Sequence, residues 1–395
     1  MSEKLTVWWG IPCKSAIPVF KSLAEQQDTD ILFVALNDLP SHRKKLGWGV
    51  PDFGKLPFEV LGANWMSHAR DLIDARAGLH IVNGIYHDER ISYVSHRLAE
   101  VHREFGVVME APANLQTGLR RVIKNLVGPI ITPIRTRSVA QKAKFVLSAS
   151  GDHQRDFERL GFAKERIFRY GYFPDFPMLT RHPNSSLGLR ILCIGYLEPF
   201  KGQDCLLSSL SILNKNRTPF ECVITGFGST ASSLQKMSDR LGLQDKVKFE
   251  GVVSNDRLRD LFGWANILVA PGFEEPWGIR VNEALLSGLP VVVSDGVGAK
   301  ELVEASGAGE LFRAGSPPSL ADALARSLAR LSNGDELLDK VRTFQQCITP
   351  HAAAAYLAEV LDYVEVGSGS GLPRPVPAWS SLSKIGRLLP QEGAV

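Results

Sequence analysis

Short apolar runs alternate with longer helix-like stretches along most of this 395-residue sequence, and this alternation constrains the fold more than any other feature. Each apolar run has the length of a buried strand, and a turn and a helical stretch follow it. Strands that are separated by helices form parallel sheets, because a parallel pair needs a crossover connection. The sequence therefore predicts an α/β protein with doubly wound, Rossmann-like sheets.

The alternation predicts two sets of strands, one in each half of the chain. The predicted strands are Leu5–Trp9, Ile31–Ala35, Leu79–Asn83, Val107–Glu110 and Phe145–Ser148, then Arg190–Gly195, Glu221–Thr225, Val247–Glu250, Ile267–Ala270 and Pro290–Ser294. The helices predicted between them include Ala16–Gln27 and Ile91–Phe105. Turn-forming residues are dense around 171–189, which indicates a boundary between two domains.

These signals predict an N-terminal domain over 1–173 and a second domain over 186–345. A further helix over 351–366 is expected to pack back on the N-terminal domain. The Gly-, Ser- and Pro-containing stretch 367–395 is expected to be a flexible tail. Two doubly wound domains that face each other across a cleft would bind ligands at the carboxyl ends of their strands.

Composition excludes several classes of protein. The 45 basic and 42 acidic residues nearly balance, so nothing indicates a general attraction to nucleic acid. The five cysteines lack the spacing of a metal site, and their odd number suits a reducing compartment. We find no signal-peptide pattern and no apolar run long enough to span a bilayer, and we expect a cytoplasmic protein.

The stretch 267–295, ILVAPGFEEPWGIRVNEALLSGLPVVVSD, carries the strongest chemical signal. A strand leads into a loop with Glu275, and a helix is predicted from Gly278 to Ser287. The N–H groups of Gly278, Ile279 and Arg280 would face a diphosphate. Glu283, one turn into the helix, suits the hydroxyls of a ribose, and Glu275, in the loop before the helix, suits the hydroxyls of a sugar bound at the same end of the strand.

This stretch resembles the signature of family 4 glycosyltransferases, the group 1 glycosyl transferases, which are retaining enzymes of the two-domain GT-B fold. The resemblance extends to five more segments: Phe168–Tyr172, Ile191–Gly202, Val223–Gly228, Val247–Val253 and Gly307–Arg313. In these segments Lys201 matches the phosphate-binding lysine of the family. Gly195, Gly226, Gly228 and Gly251 match its donor-binding turns, and Val247–Val253, which includes Gly251, matches its base-binding strand and loop.

The resemblance implies transfer of a hexose from a UDP- or GDP-sugar to a glycan or lipid-linked glycan, with retention of anomeric configuration, as in polysaccharide biosynthesis. It implies catalytic roles for Lys201 and Glu275. A histidine of the first domain would face the donor sugar, and the loose alignment offers either His87 or the position of Glu110. The second domain has no Asp-x-Asp pair, so we expect neither a metal nor another cofactor.

One position departs from the family pattern. The family commonly has arginine after the glycine that ends the first strand of the donor domain, whereas this chain has Tyr196 after Gly195. A tyrosine donates one hydrogen bond but carries no charge, so the usual pair of phosphate-binding cations is incomplete unless Arg280 completes it.

Two other functions fit parts of the sequence. The run from Gly226 to Ala231 also reads G-x-G-x-x-A after a strand, a dinucleotide-binding fingerprint that suits an NAD(P)-binding oxidoreductase. A third hypothesis is an inactive sugar-binding protein of the same fold, since it is compatible with Tyr196 and with a first half that diverges from the family.

A basic stretch in the first half bears on the acceptor. Residues 116–145 contain no Asp or Glu, and their basic residues flank an apolar run: Arg120, Arg121, Lys124, Arg135, Arg137, Lys142 and Lys144. Basic clusters beside apolar residues suit an anionic membrane surface. A solvated basic helix pair with a buried connector is the alternative that the sequence favours, because Pro129 and Pro133 break any long amphipathic helix. Peripheral attachment at the inner membrane face therefore remains an open expectation.

Overall fold

The computed structural model describes residues 4–27, 29–41, 49–86, 88–112, 132, 134–151, 153–179, 188–367 and 371–380. The chain divides into two compact units. The first unit contains Met1–Asp175 and Pro350–Ala378, and the second contains Phe176–Thr349 and Trp379–Val395. The division falls between Asp175 and Phe176, inside the turn-rich stretch of the sequence.

The first unit is built on a seven-stranded parallel sheet with the strand order β3-β2-β1-β4-β5-β6-β7. Its strands are β1 (Lys4–Trp9), β2 (Asp30–Ala35), β3 (Phe58–Val60), β4 (Leu79–Val82), β5 (Phe105–Met109), β6 (Phe145–Ser148) and β7 (Ile167–Arg169). The central strands are buried on both faces because helices cover the sheet on each side. This is why they read as continuous apolar runs in the sequence.

The helices of the first unit are α1 (Ile17–Gln27), α2 (Trp65–Ala75), α3 (Glu89–Glu100) and α4 (Gln154–Leu160), and residues 134–142 are also helical. The prediction of a helix over Ile91–Phe105 was wrong at both ends. Asp88 caps the helix earlier, since its side chain accepts from the backbone N–H groups of Arg90 and Ile91. His102 adopts a φ of 55°, which ends the helical stretch and lets Phe105 begin β5.

The second unit is built on a six-stranded parallel sheet with the strand order β10-β9-β8-β11-β12-β13. Its strands are β8 (Leu189–Ile194), β9 (Phe220–Thr225), β10 (Val247–Gly251), β11 (Ile267–Ala270), β12 (Val291–Ser294) and β13 (Gly309–Phe312). The first three strands are added in one direction, and β11 then pairs on the other side of β8. The carboxyl ends of β8 and β11 therefore flank the switch point where doubly wound sheets bind ligands.

Helices connect these strands across both faces of the sheet. They are α5 (Gln203–Lys215), α6 (Ala231–Arg240), α7 (Asn255–Trp264), α8 (Arg280–Leu286), α9 (Lys300–Ser306), α10 (Pro317–Ser332) and α11 (Glu336–Gln345). Most predicted strands agree with the structure to within one or two residues. The short strands β3, β7 and β13 were not predicted as strands, because their sequences, FEV, IFR and GELF, each contain a charged residue and lack a continuous apolar run.

The last helix, α12 (Pro350–Val366), returns to the first unit and packs against α1. The hydroxyl of Tyr356 donates to the carbonyl of Arg169 at the end of β7 (2.9 Å). Residues 371–380 fall in the segment predicted to be flexible, yet they contact folded elements. Arg374 donates to the carbonyl of Glu165 (2.9 Å), and the buried ring of Trp379 lies 5.9 Å from that of Trp277.

Candidate functional site

The glycines at the carboxyl ends of β8 and β9 are required by the packing of one turn on another. A Cβ on Gly226 would lie 1.7 Å from the carbonyl oxygen of Gly195, and one on Gly228 would lie 2.2 Å from that of Leu197. The N–H of Gly226 also donates to the carbonyl of Gly251 at the end of β10 (2.7 Å). The three strand ends thus form one tightly connected edge, as close backbone contact at glycine allows.

Lys201 and Glu275 meet across the switch point of this sheet. Lys201 ends the short helical turn Pro199–Lys201 after β8, and Glu275 lies in the loop after β11. The ammonium nitrogen of Lys201 lies 2.5 Å from a carboxylate oxygen of Glu275, and the two side chains are 17% and 21% exposed. This mostly buried ion pair joins the two predicted catalytic residues of the second unit.

The backbone of Glu275 is fixed by the loop that follows β12. Its N–H donates to the carbonyl of Gly296 (2.9 Å), and its own carbonyl accepts from the N–H of Gly298 (3.0 Å). Buried Trp277 donates from its indole nitrogen to the amide oxygen of buried Asn282 (2.8 Å), which fastens the same loop to α8. Sequence reasoning missed these two residues, although a tryptophan between Glu275 and Glu283 was an available signal.

Helix α8 is shorter than predicted, beginning at Arg280 and ending at Leu286. Gly278 has a φ of 94°, and a Cβ there would lie 2.7 Å from a methyl carbon of Val297, so glycine is required sterically. Ile279 is the cap residue, and its carbonyl accepts from the N–H of Glu283 (3.1 Å). Because a seven-residue helix offers little dipole, side chains must supply most of the positive charge at this edge.

Glu283 is held in the wall of the site by Arg280. The guanidinium of Arg280 donates to the Glu283 carboxylate, whose residue is only 9% exposed. A Cβ on Gly278 would lie 3.6 Å from the carboxyl carbon of Glu275, so the start of α8 is next to the Lys201–Glu275 pair. Each of the two acids predicted to bind the donor is therefore paired with a cation, and both pairs lie at one edge of the sheet.

Tyr196 makes no ion pair and exposes its ring. The carbonyl of Tyr196 accepts from the side chain of buried Gln203 (2.9 Å), which fixes its backbone. Its ring packs edge-on against that of Phe227, with the ring centres 5.2 Å apart. Sequence reasoning did not single out Phe227, because the pairing of two strand ends is invisible until the strand order is known.

In the first unit, His87 lies outside the described residues, so its predicted catalytic role stays a prediction. Glu110 lies directly after β5, and its carboxylate accepts from the hydroxyl of Tyr172 (2.8 Å). Burial, together with this carboxylate, raises the pKa of Tyr172 well above its ordinary value, so the phenol stays protonated and donates.

Most of the basic stretch 116–145 also lies outside the described residues, which resume at 132 and 134. In the described part, Lys142 donates to the carbonyl of Ala99 (2.9 Å), and Lys144 pairs with Glu104 (2.5 Å). Arg135 and Arg137 are exposed. Among the described helices, none combines the length and the apolar character that crossing a bilayer requires.

Comparison with known proteins identifies one family model and several relatives of part of the chain. Residues 184–342 match the family model described as "Glycosyl transferases group 1". The chain is 32% identical over 160 residues to D-inositol 3-phosphate glycosyltransferase of Streptomyces griseus, which covers 38% of this chain and 33% of the relative. It is 30% identical over 210 residues to the amylovoran biosynthesis glycosyltransferase AmsK of Erwinia amylovora, covering 50% of this chain and 51% of the relative. The matches thus span a third to a half of these relatives.

The fold likeness extends to both units. The crystal structure of Anabaena Alr3699/HepE in complex with UDP-glucose matches with a TM-score of 0.66 and 16% identity, over 91% of this chain and 99% of that one. WaaG, a glycosyltransferase involved in lipopolysaccharide biosynthesis, matches with a TM-score of 0.58 and 14% identity, over 90% and 99% of the two chains. At these identities the likeness shows a shared fold, the two-domain α/β GT-B fold expected from the sequence.

Proposed function

We propose that this chain, whose second unit carries the group 1 glycosyl transferase domain over residues 184–342, moves a hexose from a nucleotide-diphosphate sugar to a glycan or lipid-linked glycan acceptor. The observation that carries the proposal is the Lys201–Glu275 ion pair at the switch point of the second sheet. The pair places a cation and an acid next to the wall that holds Arg280 and Glu283, which is the set of charges a nucleotide sugar requires.

The two cations of the site would bind the diphosphate that leaves in the reaction. As the glycosidic bond breaks, negative charge develops on the phosphate oxygens, and Lys201 and Arg280 are the cations of this edge that can stabilise it. The groups are preorganised, because both side chains are already held by acidic partners. Binding of the diphosphate would replace one carboxylate partner by phosphate oxygens of higher charge.

The two acids of the site would bind the two sugars of the donor. A carboxylate only accepts hydrogen bonds, so Glu283 suits the ribose hydroxyls and Glu275 the hydroxyls of the hexose. Negative charge at Glu275 would also stabilise an oxocarbenium-like sugar in the transition state. We propose that transfer retains the anomeric configuration, with the acceptor proton passing to a phosphate oxygen of the departing diphosphate, and that the reaction requires no metal.

The charges of the site suit the diphosphate of either a UDP- or a GDP-sugar. One structural neighbour was solved with UDP-glucose, and one relative of part of this chain is named as a GDP-mannose-dependent mannosyltransferase of Mycobacterium tuberculosis. Both UDP- and GDP-sugars therefore stay in the proposal. The relatives do not favour an NAD(P)-dependent oxidoreductase, and the contacts of Gly226 and Gly228 explain those glycines by turn packing.

A melting-shift screen tests the function. UDP-, GDP- and ADP-sugars are each added to the protein, with NAD(P) as the comparison, because a ligand that binds only the folded state raises the melting temperature. We expect one class of nucleotide sugar to stabilise the protein and to be turned over above the uncatalysed background. Stabilisation by NAD(P) alone would contradict the proposal, and binding of a sugar nucleotide without any turnover would favour the inactive sugar-binding protein.

A further inference from the structure

An exposed aromatic pair lies on the edge of the second sheet, beside the charged site. Tyr196 follows β8 and Phe227 follows β9, and each is 43% exposed. Their ring centres are 5.2 Å apart and the ring planes are inclined by 78°. Val252, which follows β10, is 51% exposed. Three adjacent strand ends thus present apolar side chains to solvent, where core packing gives no reason for them.

The backbone holds both rings on this surface. The N–H of Leu197 donates to the carbonyl of Phe227 (2.8 Å), so the two turns are tied together between the rings. Gly226 and Gly228, on either side of Phe227, pack against the carbonyls of the neighbouring turn, which fixes the backbone that carries the ring. Keeping two large rings exposed forgoes the free energy of burying them, and such patches commonly mark binding surfaces.

The position of the pair indicates which part of a ligand it meets. Tyr196 and Lys201 belong to the same loop after β8, and Lys201 marks the diphosphate end of the proposed donor site. From there the strand order leads through the ends of β8 and β9 to the end of β10. A donor that extends along this edge brings its nucleobase to the rings. Bases stack on aromatic side chains with little dependence on sequence, since every base has a π face.

We propose that Tyr196 and Phe227 form the platform for the nucleobase of the donor, which stacks on the face of one ring and contacts the other, inclined ring at its side. This inference rests on the proposed function. It assigns Tyr196 a contact with the base through its ring in place of a contact with the phosphates through a charge, which leaves Lys201 and Arg280 as the phosphate-binding cations. It also makes Phe227 a determinant of donor affinity, although the residue has no charge and no hydrogen-bonding group.

The test compares ligands with and without a base. Calorimetry measures binding of UDP, GDP and inorganic pyrophosphate to the wild-type chain and to Phe227→Leu, which keeps apolar volume but lacks the π face. We expect UDP and GDP to bind about tenfold more weakly to the variant, with pyrophosphate binding unchanged. Tyr196→Leu is expected to act in the same direction. Phe58→Leu, at an exposed phenylalanine of β3 in the first unit, is the matched control and should change nothing.

The outcomes separate this inference from the function on which it rests. If the wild type binds UDP or GDP and Phe227→Leu binds it equally well, the platform is overturned and the proposed function stands. If the variant loses pyrophosphate and nucleotide affinity by the same factor, the ring acts through the fold of the turn and the platform is again overturned. If the wild type binds no nucleotide at all, the proposed function and the platform fall together.

Discussion

Lys201 and Arg280 carry the charge of the candidate site, and in this structure each is neutralised by an acid of the same site. The pairing holds each cation in a fixed direction before a donor binds. It also means that removing one partner leaves a mostly buried charge uncompensated, which costs more than an exposed charge would. We expect changes in the Lys201–Glu275 pair to affect the reaction and changes in the Arg280–Glu283 pair to affect nucleotide binding.

For the reaction, we expect Lys201→Ala and Glu275→Ala each to lower turnover about a hundredfold with a confirmed donor, because each removes one preorganised group that stabilises developing charge. Steady-state kinetics measures this. Lys340→Ala, which breaks an exposed ion pair with Glu336 on α11, is the matched control and should keep wild-type turnover. Near wild-type turnover in both site variants would contradict the mechanism.

For binding, we expect Glu283→Gln to weaken nucleoside diphosphate affinity about tenfold, since a neutral amide accepts hydrogen bonds from ribose hydroxyls less strongly than a carboxylate. Calorimetry with UDP and GDP measures the change. Glu304→Gln on α9, where the side chain is exposed, serves as the control. Unchanged affinity in Glu283→Gln would remove the assignment of this acid to the ribose.

At the scale of elements, the site depends on turns that interlock at the ends of β8, β9 and β10. The contacts of Gly226 are with backbone atoms, which cannot move aside as the end of a flexible side chain can. The turns at this edge position Lys201 and the aromatic pair, because these residues lie in the loops that follow β8 and β9. A side chain at Gly226 would thus disturb binding through the fold of the edge.

We expect Gly226→Ala to lower the free energy of unfolding by about 2 kcal/mol or more, because its Cβ would overlap a carbonyl oxygen and its φ of 139° is strained for an L-residue. Chemical denaturation measures the loss. Gly263→Ala is the matched control: it lies in α7 with nothing within 4 Å of the added Cβ, and alanine favours helix. Equal stability of the two variants would show that the turns tolerate displacement.

At the scale of the whole molecule, the proposal concerns conditions as well as residues. The absence of an Asp-x-Asp pair in the second half led to the expectation that phosphate is held by side chains alone. We expect turnover to survive treatment with EDTA, measured with the donor that the melting-shift screen identifies. Complete loss of turnover that Mg²⁺ or Mn²⁺ restores would contradict metal independence.

The second prediction at this scale concerns the basic stretch 116–145 and a membrane-bound acceptor. We expect the chain to co-float with anionic liposomes at low salt and to dissociate at high salt, since each Lys or Arg near such a surface contributes about 1 kcal/mol. Replacing Arg135 and Arg137 by glutamine should weaken flotation, while Arg259→Gln in the second unit should not. Equal flotation with neutral liposomes, or none at low salt, would favour an acceptor in solution.

The sequence alone determined the α/β class, most strands and the stretch that carries Glu275 and Glu283. These depend on local patterns: apolar runs with the length of a strand, turn residues between them, and two acids eight positions apart on a loop and the helix that follows. Local signals also have limits, as α3 shows, because its start depends on the side chain of Asp88 and its end on a single left-handed residue.

The tertiary structure alone decided which residues meet. Lys201 and Glu275 are 74 positions apart, and they pair because β11 returns to the side of β8. The same strand order brings Phe227 next to Tyr196. It also places the carbonyl of Gly195 so close to Gly226 that no side chain fits there. No local pattern encodes these contacts, since the order of strands follows from how the whole sheet buries its two faces. The charges of the site can be read from the sequence, but their pairing and the aromatic surface beside them are properties of the fold.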